Sequence, residues 1–296
     1  MRKLLMCPPH YYNVAHRFQN VHMKMSREVL HNKAQRQWVK LYNLLTHELE
    51  AKVLLTPPAV GMVDMVFAAN AALIKGDKAV VANFAAHARR GETPAYKRIL
   101  DEFGFRTFVP DDKFEGQGDA LFSHNGEELW IGHGFRTISS SHREVGEFLG
   151  MDYNRNVHSL LLVEPEFYHL DTCFCPLDGG HLLFYPKAFS SNDVRLFYDK
   201  FGKDNCIEVS EEDAKNFACN AISLGNKVVL NRATEKLTYD LQDHGYDVYE
   251  NNMSEFLLSG GSTKCSILHL DLPPAMETLE ESINCTIDDI YRDRDD

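Results

Sequence analysis

Four short turns recur along this chain at nearly even spacing. Lys75-Gly76-Asp77-Lys78, His124-Asn125-Gly126-Glu127, Leu177-Asp178-Gly179-Gly180 and Leu224-Gly225-Asn226-Lys227 each separate two apolar runs, and the glycines at 76, 126, 179 and 225 lie 50, 53 and 46 residues apart. Self-similarity at such a period marks a repeat architecture. Apolar runs flanking a glycine turn, as in Ala71-Ala72-Leu73-Ile74 against Ala79-Val80-Val81-Ala82, mark a hairpin. Helix punctuation follows the hairpins. Thr93-Pro94 opens a helix over 95–103 that Gly104 closes, Gly202 and Gly245 close helices over 191–201 and 233–244, and Ser210-Glu211-Glu212-Asp213 is a start signal. A further apolar strand follows most helices, at 105–109, 159–163, 206–209 and 246–249, so the unit is strand, strand, helix, strand. Four such units become five if an early strand at 3–6 combines with a last one at 265–270. Closing them into a ring hides the sheet edges. The predicted fold is an α/β five-bladed propeller forming one domain over 1–272, with an acidic tail over 273–296. Two α/β domains are the alternative, but no linker-like segment falls between 60 and 272. Residues 26–52 read as a long amphipathic helix.

Composition limits what such a ring does. A formal charge of -12 disfavours a nucleic-acid partner, which needs clustered Lys and Arg, and suits a small cationic substrate. No run reaches the ~18 apolar residues of a spanning helix, and Pro8-Pro9 interrupts the start before a signal-like apolar stretch develops. No membrane partner is expected. Seven cysteines at irregular positions form no paired framework, which fits a reducing compartment, and the chain is expected in the cytoplasm.

Residues 168–180 hold the densest chemistry. Read as a strand, they place His169, Asp171, Cys173 and Cys175 on one face, as either a metal site or a catalytic wall. Four alternating ligands on one strand wrap a tetrahedral zinc poorly, and Cys173 and Cys175 are assigned to packing. Equivalent places before the other turns carry Asp64 and Asn70; Glu115, Gln117 and Asp119; and Asn216, Cys219 and Asn220. Buried polar groups need partners, so their convergence on a ring axis predicts a site. Cys265 joins it from Gly260-Gly261-Ser262-Thr263-Lys264-Cys265, a glycine-rich bend whose amides can stabilise a thiolate. A thiol with a histidine and carboxylates on neighbouring repeats is a nucleophile with its acid–base apparatus.

These motifs, Asp64 to Asn70, Glu115-Gly116-Gln117-Gly118-Asp119, His169-Leu170-Asp171 and Gly260 to Cys265, stand in the order and spacing of the guanidino-group-modifying enzymes. From Met6 to about Leu272 the chain resembles that superfamily, which includes arginine deiminases, dimethylarginine dimethylaminohydrolases and amidinotransferases and has the five-bladed pentein fold. Met6-Cys7-Pro8-Pro9, Asn20-Val21-His22-Met23 and 167–180 look most like the arginine dihydrolases. The resemblance implies Cys265 as nucleophile, His169 as general acid/base and Glu115 as its carboxylate partner. It implies Asp171 as a clamp on the guanidinium, Arg136 and Arg89 as contacts for the substrate carboxylate, and Asn70, Asn20 and Asp64 as further substrate-binding residues. No metal and no organic cofactor are implied. The chain departs from the pattern twice: Asn70 stands where deiminases and methylarginine hydrolases carry Asp, and Glu115 to Asp119 is one residue longer than the usual motif. An Asn donates as well as accepts, so it can hold a neutral ureido group as well as a guanidinium. This favours two hydrolytic rounds on free arginine, yielding ornithine, carbon dioxide and two ammonia. The alternatives are a deiminase yielding citrulline, a dimethylarginine hydrolase, and a non-catalytic pentein scaffold. The partner is a small-molecule substrate, and assembly into a homo-oligomer is left open.

Overall fold

In the computed structural model, which describes residues 2–14, 20–24 and 27–270, the strands pair into five three-stranded sheets. Four follow chain order. Ala72–Lys75 and Lys78–Val81 form an antiparallel hairpin, and Arg106–Phe108 lies parallel to the second strand. The same pattern recurs in Ala120–Ser123, Glu128–His133 and Val157–Leu161, in Phe174–Pro176, Leu182–Phe184 and Cys206–Glu208, and in Ile222–Leu224, Lys227–Leu230 and Asp247–Glu250. The fifth sheet joins the two ends of the described chain. Lys3–Met6 is its middle strand, antiparallel to Leu268–Leu270 and parallel to Lys52–Leu55. This is the five-bladed propeller the repeat predicts.

The local reasons are visible in each blade. A parallel third strand requires a crossover, supplied by Glu92–Glu102, Ser141–Leu149, Ser191–Phe201 and Glu235–Asp243 in the four chain-order blades. Ser190 and Thr234 cap two of these helices, accepting the N–H of Asp193 and Leu237 at 3.2 Å each. Middle strands are covered on both faces, so Val80, Val81, Leu129, Trp130 and Ile131 are fully buried and read as continuous apolar runs. Side chains also cross between blades. Cys175 Sγ donates to the Ala221 carbonyl at 3.3 Å, and Thr263 Oγ1 donates to the Asn220 carbonyl at 2.5 Å.

Three sequence expectations change. Residues 168–180 are not one strand: Leu170–Thr172 forms a 3-10 turn and the strand is only Phe174–Pro176. Thr172 Oγ1 donates to the His169 carbonyl at 2.6 Å and Cys173 N–H to the Leu170 carbonyl at 3.1 Å, which closes that turn. The polar residues therefore precede the first strands of the blades instead of lying on them, in short turns such as Ala68–Ala71, Gly116–Asp119 and Lys264–Ser266. The long helix is His31–Asn43, continued by a wider turn at Leu44–Glu48, and Lys52 belongs to the strand Lys52–Leu55. Glu50, at φ 54°, breaks the helical path between them. Leu272 and the acidic segment 273–296 lie outside the described residues. Among the described residues no helix is long and apolar enough to cross a membrane.

Candidate active site

The turns at the inner ends of the blades bring Cys265, His169, Glu115, Asp171, Asn70, Arg89, Arg136 and Asp64 together, each less than a tenth exposed. Asn20, Asn70, Asp64, Arg89, Arg136, His169 and Cys265 line one narrow pocket, with Tyr168 and Gly260 at its wall. A wider cleft runs along His31–Asn43 and past Tyr249 and Glu250, but it holds no thiol and no paired acid–base group. Chemistry, not volume, selects the narrow pocket.

Cys265 sits in the 3-10 turn after the glycine bend. Gly260, at φ 74°, leaves no room for a side chain beside Tyr168 and His22, and a Cβ at Gly261 would lie 2.3 Å from the Phe67 ring. Asn220 holds the cysteine at two points: its Oδ1 accepts the Cys265 N–H at 3.1 Å and its Nδ2 donates to Sγ at 3.0 Å. The thiol donates to Asp171 Oδ2 at 3.3 Å. Burial and then the charge of Asp171 push this thiol well above its ordinary value, while the Ser262 backbone and the Lys264 ammonium pull it down.

His169 Nε2 lies 2.7 Å from Glu115 Oε2. An ionised carboxylate only accepts, so Nε2 carries the proton and Nδ1 is left to exchange protons. Burial pushes the Glu115 carboxyl up, but the Arg136 guanidinium, the His169 contact and Arg89 together hold it well below the usual carboxylate range. Its Oε1 accepts the Ala85 N–H at 3.0 Å. Asp119, whose carboxyl burial raises to about 6, accepts Thr137 Oγ1–H at 2.7 Å and the Leu170 N–H at 3.2 Å. It thereby fixes the turn that carries His169 and Asp171.

Asp171 Oδ1 is buried with no hydrogen-bond partner. So is the amide nitrogen of Asn70. Its Oδ1 accepts from Arg89 Nη1 at 2.7 Å, and Nδ2 has no hydrogen-bond partner. Since Arg89 only donates, this orientation of the amide follows. Gly118 permits it, for a Cβ there would stand 2.0 Å from Nδ2.

Arg89 and Asn20 both line this pocket. Arg89 is engaged through all three guanidinium nitrogens, by both Glu92 oxygens at 3.0 and 2.8 Å, by Asn70, and by the Asp64 carbonyl at 3.1 Å. It orients Asn70. Asn20 is at the pocket rim, donating to the Ser259 carbonyl at 2.8 Å and accepting the Met23 N–H at 3.0 Å. Arg136 stacks over the Tyr168 ring at 4.8 Å, with Nη1 3.7 Å from Glu115 Oε2. Cys173 and Cys175 direct their thiols to backbone carbonyls, and among the described residues no cluster of His, Cys, Asp and Glu could hold a metal ion.

Asn220, Tyr168 and Asp119 were not assigned roles from sequence. Asn220 had a usable signal, because it precedes the fourth turn as His169 and Asp171 precede the third. Together these groups form a thiol beside an anionic wall, a carboxylate-held imidazole, and one uncommitted amide donor, an arrangement suited to nucleophilic attack on a cationic carbon.

Comparison with known proteins agrees with this geometry. Residues 10–272 match the family described as N,N dimethylarginine dimethylhydrolase, eukaryotic. The chain is 40% identical over 278 residues to the bifunctional arginine dihydrolase/ornithine cyclodeaminase ArgZ of Synechocystis, covering 92% of this chain and 38% of that protein. It is 37% identical to the N(G),N(G)-dimethylarginine dimethylaminohydrolase of Mycobacterium tuberculosis, covering 91% of this chain and 86% of that one. The crystal structure of the N-terminal domain of ArgZ, an arginine dihydrolase in a Cys-to-Ser form bound to substrate, superimposes with a TM-score of 0.87 at 39% identity, over 92% of this chain and 99% of that one. The chain thus spans well under half the length of the bifunctional relative. By its fold, its ordered motifs and its match over 10–272, the chain belongs to the dimethylarginine dimethylaminohydrolase family of penteins.

Proposed function

We propose that this chain is a cysteine hydrolase of free L-arginine that removes both guanidino nitrogens in two rounds, an arginine dihydrolase. Arginine enters as a cation. Its guanidinium pairs with Asp171, whose Oδ1 is otherwise unpartnered, and lies against the Glu115 carboxylate through charge-assisted hydrogen bonds. Arg136 and Asp64 complete the binding surface. The incoming positive charge offsets Asp171, so the Cys265 thiol passes its proton to His169 Nδ1 as Sγ bonds to the guanidino carbon and the C=N electron pair moves to nitrogen. His169 Nδ1 delivers the proton with which ammonia departs, leaving a thiouronium. The same nitrogen then takes a proton from water as it attacks, and the C–S bond breaks to give citrulline. Acid–base assistance of this kind contributes ~10²- to 10⁴-fold.

Asn70 carries the choice of two rounds over one. With Oδ1 held by Arg89 and Nδ2 free, the side chain presents a donor to the ureido oxygen of citrulline and keeps it in place. A second attack expels the remaining terminal nitrogen as ammonia, and hydrolysis of the thiocarbamate gives a carbamate that loses carbon dioxide to leave ornithine. The similarity to ArgZ supports the same reading. The test is amino-acid and ammonia analysis of purified protein with arginine. Ornithine is expected, and Cys265→Ala is expected to form neither ornithine nor citrulline; turnover by that variant would overturn the mechanism.

A further inference from the structure

Lys264 immediately precedes the nucleophile in the same 3-10 turn and is only 6% exposed. A buried ammonium is costly unless well paired, yet among the described residues its Nζ makes one hydrogen bond, a long one of 3.5 Å, to Gln117 Oε1. No ion pair of Lys264 with a carboxylate occurs among the described residues. Gln117 does not depend on it, since Gln117 Nε2 donates to the His269 carbonyl at 2.9 Å and Oε1 accepts the His269 N–H at 3.0 Å. The charged and titratable groups in electrostatic reach of Lys264 are Asp171, Cys265, Cys175 and His269. His169 acts on Asp171 in the same way, and Arg2 acts on His269.

The two rounds differ in one respect that makes this charge useful. Arginine brings a cation to the thiol, whereas citrulline is neutral, so in the second round Cys265 faces Asp171 at 3.3 Å with no substrate charge to offset it. We infer that Lys264 is the resident cation that supports attack by Cys265 on neutral citrulline, a positioning residue for the second hydrolytic round. This rests on the dihydrolase reading. In that round Sγ bonds to the ureido carbon and the C=O electron pair moves to oxygen. Collapse breaks the bond to the terminal nitrogen, which leaves as ammonia with a proton from His169. Water then displaces Sγ to release the carbamate of ornithine. Lys264 steadies the thiolate before the bond forms and takes no proton from the substrate.

The test compares Lys264→Met, Lys264→Arg and the unaltered protein on arginine and on citrulline supplied separately, with the pH profile of iodoacetamide inactivation as a second readout. Lys264→Met is expected to lose kcat on citrulline at least about tenfold more than on arginine, as removal of a buried charge from the residue next to the nucleophile in its turn implies. Its alkylation profile is expected to move to higher pH, and Lys264→Arg to recover most of both. Equal losses on the two substrates, or a loss confined to KM for arginine, would overturn the inference, the latter by showing that Lys264 serves only to keep Asp171 ionised. If Lys264→Met does not fold, Lys264→Gln, which keeps a donor for Gln117, carries the same expectations. Failure of the unaltered protein to convert citrulline would sink the dihydrolase reading itself. Conversion by the unaltered protein with unchanged selectivity in the variant would sink the Lys264 inference alone.

Discussion

Replacing Asn70 by Asp changes one atom group in a way the structure makes specific. The oxygen that accepts from Arg89 Nη1 at 2.7 Å remains, and the contact becomes an ion pair with a guanidinium already held by Glu92. Folding stability is therefore preserved. The second oxygen takes the place of Nδ2, the buried atom with no hydrogen-bond partner. Toward arginine this is a gain or a neutral change, because an acceptor meets the guanidinium N–H groups. Toward citrulline it removes a donor from the ureido oxygen and sets a carboxylate against the oxyanion that forms during attack. Loss of one such donor typically costs about 2.7–4 kcal/mol, or ~10²- to 10³-fold in rate. A time course of amino acids and ammonia, read by chromatography on quenched samples, measures it directly. Asn70→Asp is expected to accumulate citrulline, with ammonia per arginine falling from two toward one, while arginine consumption stays within about tenfold of the unaltered protein. An unchanged ornithine yield, or an equal loss in both rounds, would refute the role given to Nδ2.

Two further expectations follow from charges seen in the structure. The Asp171 carboxylate and its contact with Sγ both raise the Cys265 thiol, so Asp171→Asn leaves more thiolate at a given pH. Iodoacetamide inactivation is expected to begin at lower pH in that variant even as arginine turnover is lost; a profile that stays put would show that Asp171 does not set the thiol. Glu255, fully buried, accepts from Arg27 at 2.6 and 2.9 Å, from Lys33 at 3.0 Å and from the Leu30 N–H at 3.1 Å. Burial pushes its carboxyl up, but these partners bring it down to about 2 from an ordinary 4.5. A lowered acid stabilises the fold above its unfolded value and loses that contribution as pH falls through the folded one. Glu255→Gln should therefore flatten the fall in thermal midpoint between about pH 4.5 and 2, and an unaltered slope would show that other carboxylates govern acid unfolding.

The sequence made the blades legible because their signals are local. A glycine turn between apolar runs, a capped helix and a short strand each need only neighbours in the chain, and Ser191–Phe201 was readable to the residue with Gly202 at its end. The strand Lys52–Leu55 was not, because its apolar residues continue the pattern of the preceding helix, and only pairing with Lys3–Met6 across the ring makes it a strand. The site divides in the same way. Cys265, His169, Glu115 and Asp171 stood out as chemistry on equivalent segments of a repeat. Their geometry did not, because the 3-10 turns that present them are closed by contacts such as Thr172 Oγ1 to the His169 carbonyl, which have no periodic signature. The partners of Arg89 were not legible. Glu92, three residues on, and Asn70, from the preceding turn, meet it only in the folded ring.

The most direct measurement follows the guanidino carbon itself. Arginine labelled with ¹³C at that carbon, incubated with the purified protein and watched by NMR, is expected to pass through a transient citrulline signal and end as carbon dioxide and bicarbonate, with ornithine unlabelled. Label that stops in citrulline would contradict the second round, and label appearing in urea would contradict a thiol-bound intermediate altogether.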